Sequence, residues 1–315
     1  MKVVALAGGI GGGKFLRGLV RAVAPTDVTA VVNTGDDIVM HGLAISPDLD
    51  SVTYWLGDEF DRERGWGRRD ESFRATEELR RFDAEGAWFG LGDLDLATHL
   101  YRTRRLAEGA TLSEATARIA ARFGITTRIL PMSDDVVTTR IDAVSAGVEL
   151  DLHFQEYWVQ RRAADDVKGV RFHGADTARP APGVLEAIAA ADVVVIGPSN
   201  PVVSISPILA VPGIRDAVEA RRDRVVGVSG ILGGAPLAGM ADRLMPAVGL
   251  EVTAAGAAAA YDGLLVAWVI DERDRELVPR IERDHGVRVA ITDSVMVDDA
   301  AAEALARTAL AQVTG

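Results

Sequence analysis

Cysteine is absent from this 315-residue chain, which excludes disulfides, thiolate catalysis and cysteine-ligated zinc or iron–sulfur centres. Positive charge is in deficit: 34 Lys and Arg face 46 Asp and Glu, a net charge of −12. Such a chain repels DNA or RNA as a whole, so no nucleic-acid partner is expected. A phosphorylated ligand then needs local help from backbone amides, a few Arg or Lys and a divalent cation. No uncharged apolar run approaches the roughly 18 residues of a membrane span. The first strand begins without a basic region or cleavage site. No membrane partner is expected, and a cytoplasmic location is. Histidine is scarce, five in all. None has zincin spacing and no G-x-S-x-G elbow occurs, so hydrolase chemistry is unsupported.

What is present is apolar and rhythmic. The chain is 48% hydrophobic, enough for one large domain or two modest ones. Apolar runs at Val3–Leu6, Val28–Val32, Asp192–Ile196, Arg224–Val228, Leu264–Asp271 and Val287–Thr292 read as strands. Helical patterns lie between them, including Val184–Ala191 and Asp299–Gln312. Continuous apolar strands with intervening helices predict an α/β fold, a Rossmann-like, mostly parallel sheet covered on both faces. Residues 58–124 differ, with dense charge and helical spacing. Thr111 and Glu114 form a capping box ahead of Leu112, Ala115, Ile119 and Phe123 on one face. We therefore expect a core of residues 1–57 and 125–315 and a smaller, mostly helical insertion. β-character at Ile125–Met132, Val136–Asp142 and Val148–Val159 belongs to that core.

The chemistry-bearing stretches fall after strands. Leu6-Ala-Gly-Gly-Ile-Gly-Gly-Gly-Lys14 joins the first strand to an amphipathic run, Phe15–Val23, so a strand, a glycine loop and a helix are expected. Glycines admit close backbone approach, and a helix N-terminus favours phosphate. Gly8, Gly9, Gly11, Gly12 and Lys14 are the candidate phosphate contacts. The run matches neither the dinucleotide motif, broken at its third glycine, nor the P-loop, because Phe15 stands where Ser or Thr holds magnesium. The bland reading is a turn that only lets a helix pack on a strand; phosphate or nucleotide binding is the favoured one. Next come Asn33-Thr-Gly-Asp36-Asp37 and Ser46-Pro-Asp48-Leu-Asp50. Asp48 and Asp50 share a face if that segment is extended. Oxygen ligands suit magnesium, so Asp36, Asp37 and Asp48 are candidate ligands, although each is also an ordinary turn or cap residue. Gly197-Pro-Ser199-Asn200-Pro201 offers groups for a base, ribose or phosphate. Ser133 and Asp134 either bind a substrate hydroxyl or make a turn.

Taken together these stretches resemble the 2-phospho-L-lactate transferases of coenzyme F420 biosynthesis, including the actinobacterial enzymes. The resemblance rests on Ala7–Lys14, Val31–Asp37, Ile45–Asp50, Arg64–Gly67, Trp88–Asp93, Leu96–His99, Leu130–Asp134, His153–Glu156 and Gly197–Ile205, which stand in family order. It departs at Gly13-Lys14, where the actinobacterial loop often carries Ala-Arg. The resemblance implies a Rossmann-like core with a helical region and a homodimer. It also implies a reaction. The terminal ribityl hydroxyl of the deazaflavin FO attacks the phosphate bearing a three-carbon acid in a guanosine-diphosphate-linked donor, and GMP leaves. Magnesium is the implied cofactor. By the same resemblance Asp50 contacts FO, and Asp50 and Asp48 are the catalytic candidates. The glycine run then takes donor phosphates, Gly197, Ser199, Asn200 and Asn33 the guanosine end, and Trp88 and Phe89 flank the deazaflavin. Two other readings fit parts of the pattern, an NAD-dependent oxidoreductase and a nucleotide-sugar-binding regulator of the same fold.

Overall fold

The computed structural model describes residues 1–237 and 239–314. The strands in chain order are β1 (Val3–Ala7), β2 (Val28–Val32), β3 (Ile38–Met40), β4 (Leu43–Ile45), β5 (Arg128–Pro131), β6 (Thr138–Ser145), β7 (Val148–His153) and β8 (Asp166–His173). They continue as β9 (Val193–Ile196), β10 (Val225–Val228), β11 (Ile231–Leu232), β12 (Ala235–Pro236), β13 (Ala267–Asp271) and β14 (Arg288–Thr292).

Seven of them form one sheet in the order β14-β13-β10-β9-β1-β2-β5, and every pairing in it is parallel. Strands such as Val3–Ala7 and Val193–Ile196 are buried along their whole length. Alternate residues feed two separate cores: Val4, Leu6, Val194 and Ile196 pack on one face, Val3, Ala5, Val193 and Val195 on the other. Burial on both faces explains why these strands are continuous apolar runs rather than alternating ones. The expected α/β architecture is therefore the observed one.

Topology also places the site. The chain runs outward from β1 through β2 to β5, then returns to lay β9 against the other side of β1. In such sheets the crevice at the carboxyl ends of the diverging strands is the natural ligand site. Here the residues after β1 are Gly8 and Gly9, and those after β9 are Gly197 to Asn200.

Five α-helices come before β5 in the chain: α1 (Gly9–Ala22), α2 (Pro47–Leu56), α3 (Arg74–Arg81), α4 (Asp93–Ala107) and α5 (Leu112–Arg122). The capping box is present, Thr111 Oγ1 accepting from Glu114 N while Glu114 accepts from Thr111 N. Helix α1 packs against the C-terminal helix Asp299–Thr314 so closely that a Cβ at Gly18 would lie 2.2 Å from the Ala302 carbonyl carbon.

Three local expectations change. The glycine run is not a loop: helix α1 starts at Gly9 and takes in the rest of it. Ser46–Asp50 is not extended either, because Pro47 opens α2, a position where its missing N–H costs nothing. The strand expected over Val148–Val159 ends at His153 and gives way to a wide helical turn, Glu156–Gln160. It pairs with β6, whose other side pairs with the unforeseen β8, forming a separate antiparallel sheet in the order β7-β6-β8. The alternating burial of β6 shows that only one face of that sheet is covered.

Candidate active site

A cavity of about 970 Å³ opens at the carboxyl ends of β1 and β9. Its lining brings together Gly8 to Gly11 with Pro198 to Pro201, the carboxylates Asp36, Asp48 and Asp50, and the rings of Trp66, Phe73, Trp88 and Phe89.

The glycines act in two ways. Gly8 has no room for a side chain, since a Cβ would stand 2.4 Å from Asp48 Oδ2. Ser199 clamps the same residue, its Oγ accepting from Gly8 N at 3.1 Å and donating to Gly8 O at 2.9 Å. Gly8, Gly9 and Gly11 line the cavity. Gly12 does not; it lies against Ala7 and Ser199, and a Cβ there would come within 2.7 Å of Ser199 Oγ. Lys14 also faces elsewhere, its ammonium 5.8 Å from the centre of the Trp55 ring. Burial, then Arg62, hold it below the ordinary lysine value. In a helix each residue turns about 100°, so a cation placed at the end of a loop by the sequence is carried round to α2.

Asn33 is fully buried and organises the carboxylates rather than lining the cavity. Its Oδ1 accepts from Gly35 N at 2.8 Å, which fixes the amide's orientation. Its Nδ2 then faces three acceptors: Asp36 Oδ1 at 2.5 Å, Asp48 Oδ2 at 2.9 Å and the Val203 carbonyl at 3.2 Å. An amide nitrogen carries two hydrogens, so these acceptors are under-supplied. Gln155 supports Asp36 Oδ2 at 3.2 Å. Burial, followed by the charges of Asp48 and Asp37, pushes the Asp36 carboxyl well above its ordinary value. Burial raises Asp48 to about 6, against the pull of Asn33 and the Gly9 amide. No ion pair among the described residues involves either group. Two buried carboxylates sharing one amide and facing a cavity are what a hard divalent cation binds, so the pair fits magnesium. Asp37 is different. It accepts from Ser46 Oγ at 2.7 Å and does not line the cavity, and burial raises its carboxyl.

Asp50 stands on the other side of α2. Two residues along a helix is a turn of about 200°, so Asp48 and Asp50 diverge instead of sharing a face. Asp50 is bound through both oxygens by the guanidinium of Arg102, which is itself buried; Nη1 lies 3.0 Å from Oδ2, and Nη2 bonds Oδ1. Burial works against the Arg102 charge, but Asp50 outweighs it and raises the group above the ordinary arginine value. His99 Nδ1 lies 3.3 Å from Arg102 Nη1, and its Nε2 lies 3.3 Å from Asp95 Oδ2. Tyr54 Oη donates to Asp95 Oδ1 at 2.5 Å, and burial with the Asp95 charge keeps that phenol protonated. Asp50, Asp95 and His99 could form a metal-ligand triad, with ligand atoms within 4.8 Å of one another. The Arg102 charge already neutralises Asp50, which disfavours a second cation there.

Of the remaining candidates, Ser199, Asn200, Trp88 and Phe89 line the cavity. Asn200 Oδ1 caps the turn after β9, accepting from Val202 N at 2.9 Å. Gly197, Ser133 and Asp134 do not line it. Ser133 Oγ donates to the Arg179 carbonyl at 2.6 Å, and Asp134 holds Ser113 N and Oγ at 2.7 and 2.8 Å. These are the turn roles left open by the sequence. The sequence reading singled out neither Tyr54, Asp95, Arg102 nor Gln155. Asp95, His99 and Arg102 did carry a signal, since i, i+4, i+7 spacing aligns them on one face of α4.

The family profile described as "2-phospho-L-lactate transferase CofD" matches residues 3–312. A phosphoenolpyruvate transferase of Streptomyces griseus is 50% identical over 311 residues, covering 98% of each chain. One of Kitasatospora aureofaciens is 50% identical over 313 residues, covering 99% of this chain and 97% of that one. One of Mycolicibacterium smegmatis is 42% identical over 326 residues, covering 98% of each. A crystal structure of a UPF0052-family protein from Bacillus halodurans shares the fold, with a TM-score of 0.64 at 18% identity over 97% of this chain and 98% of that one. No helix among the described residues is long and apolar enough to cross a membrane. With its sheet, its glycine-lined crevice and its full-length match, this chain belongs to the CofD family of 2-phospho-L-lactate transferases.

Proposed function

We propose that this F420-biosynthesis transferase moves a phosphoenolpyruvyl group from enolpyruvyl-diphosphoguanosine to the terminal ribityl hydroxyl of FO, releasing GMP and forming dehydro-F420-0. The enolpyruvyl rather than the lactyl donor is chosen because the similar actinobacterial proteins are named phosphoenolpyruvate transferases. The observation that carries the reading is the lining of one cavity by the backbone of the glycine run, buried carboxylates and aromatic rings together. That combination suits a diphosphate held between a nucleoside and a flat acceptor.

Asp36 and Asp48 are the residues that would hold magnesium. When bound, the cation would offset phosphate charge and polarise the P–O bonds. The chain's own part is positioning, which is most of phosphoryl transfer. Amides of Gly9 to Gly11 and Ser199 face the donor phosphates, and Trp88 and Phe89 flank the deazaflavin. Asp50, fixed by Arg102, accepts the hydrogen bond of the attacking hydroxyl. As the new O–P bond forms and the bond to GMP breaks, the hydroxyl proton passes to the Asp50 carboxylate and on to water. The test mixes protein, FO and magnesium with each guanosine-linked donor and follows GMP and product by mass. GMP release coupled to dehydro-F420-0 is expected; absence of turnover with both donors would remove the reading.

A further inference from the structure

We infer that His99 and Asp95 form a donor–acceptor pair that binds a second hydroxyl of the acceptor, next to the one that attacks, and so select a polyol chain. This rests on the proposed transfer to a hydroxylated acceptor and adds the residues that recognise it. His99 is 1% exposed, lines the cavity, and its Nε2 has no hydrogen-bond partner among the described residues. An orphaned buried polar atom at a cavity wall is costly unless a ligand completes it.

The chemistry of Nε2 is read from the other side of the ring. Arginine only donates, and Arg102 Nη1 faces Nδ1 at 3.3 Å. Asp50 Oδ2 also faces Nδ1, at 3.5 Å, but Arg102 is the nearer, so the ring hydrogen is assigned to Nε2. His99 is thus a hydrogen-bond donor at Nε2 and not the base of the reaction. Asp95 supplies the complementary acceptor. Tyr54 occupies its Oδ1, while Oδ2 lies 3.3 Å from His99 Nε2 in a contact that lacks hydrogen-bond alignment among the described residues.

A donor and an acceptor side by side match a group that both accepts and donates, which a hydroxyl does. Ligand atoms of Asp50, His99 and Asp95 lie within 4.8 Å of one another. Adjacent hydroxyls of one carbon chain reach both sites at once, one at Asp50 and its neighbour at His99 and Asp95. The polyol chain is thereby held in a single rotamer, which presents the terminal oxygen to the donor phosphate.

The test compares FO with an analogue lacking the hydroxyl beside the terminal one, using the wild type, His99→Ala and His99→Gln. Wild-type kcat/KM is expected to fall about tenfold with the deoxy analogue, the loss of one buried hydrogen bond. His99→Ala is expected to lose about tenfold with FO and little more with the analogue, while KM for the donor stays put. His99→Gln carries an amide N–H near the Nε2 position and is expected to recover part of the loss. It also covers the case in which His99→Ala fails to fold. Equal discrimination between the two acceptors in wild type and variants overturns the inference while leaving the transfer intact. No turnover of FO by the wild type would instead remove the function on which it rests.

Discussion

Two hydrogens on one amide nitrogen set the electrostatics of the cavity. Asn33 Nδ2 faces Asp36, Asp48 and the Val203 carbonyl, so it draws both carboxylates together without neutralising either. Asn33→Ala is expected to weaken magnesium binding about 10–100-fold, the usual effect of losing a group that orients metal ligands. Calorimetric titration with magnesium would check it, and unchanged affinity would dissociate Asn33 from the metal. Arg102 sets the opposite balance at Asp50. Arg102→Met strands a buried carboxylate and is expected to cost about 3–5 kcal/mol of folding stability, read from urea denaturation.

His153 adds a pH term. Its Nδ1 accepts from Gln155 N at 3.0 Å, so Nε2 carries the hydrogen and faces the Asp37 carbonyl at 3.1 Å. Burial holds the ring below the ordinary histidine value. The unfolded chain therefore takes up the proton first, and stability falls as pH drops through about 6.5. His153→Gln is expected to flatten that decline, followed by thermal melts between pH 5 and 8.

At the scale of elements, helices overruled local reading. The glycine run carries the signs of a loop, yet Gly12 and Gly13 are helical residues that admit neighbours: Ser199 at Gly12 and the Trp55 ring at Gly13. Gly18 shows the same logic away from the cavity. Gly18→Ala would press a methyl into the Ala302 backbone, and about 1–3 kcal/mol of destabilisation is expected with KM values for both substrates unchanged. The Pro47 at the head of α2 and the spacing of Asp95, His99 and Arg102 on α4 were visible in the sequence. Their meaning was not, because it depends on which helices face each other. Ser133 and Asp134 fit a turn or a site equally well by residue type, and only their partners Arg179 and Ser113 decide between the two.

For the whole molecule, the parallel sheet was legible because buried strands write their hydrophobicity without alternation, as Val28–Val32 and Val193–Ile196 do. The small antiparallel sheet was harder. β8 reads Asp-Val-Lys-Gly-Val-Arg-Phe-His, with charges on its open face and a Gly169 that weakens the pattern. What no local pattern contains is the return of β9 to the side of β1. That crossing brings Ser199 onto Gly8, about 190 residues apart in sequence, and makes the crevice where Asp36 and Asp48 stand.

Manganese substitutes for magnesium and scatters anomalously, so a crystal of the protein with manganese, FO and GMP tests the account at its centre. An anomalous peak between the Asp36 and Asp48 carboxylates, facing the GMP phosphate, is expected. A peak among Asp50, Asp95 and His99, or none at saturating manganese, would contradict it.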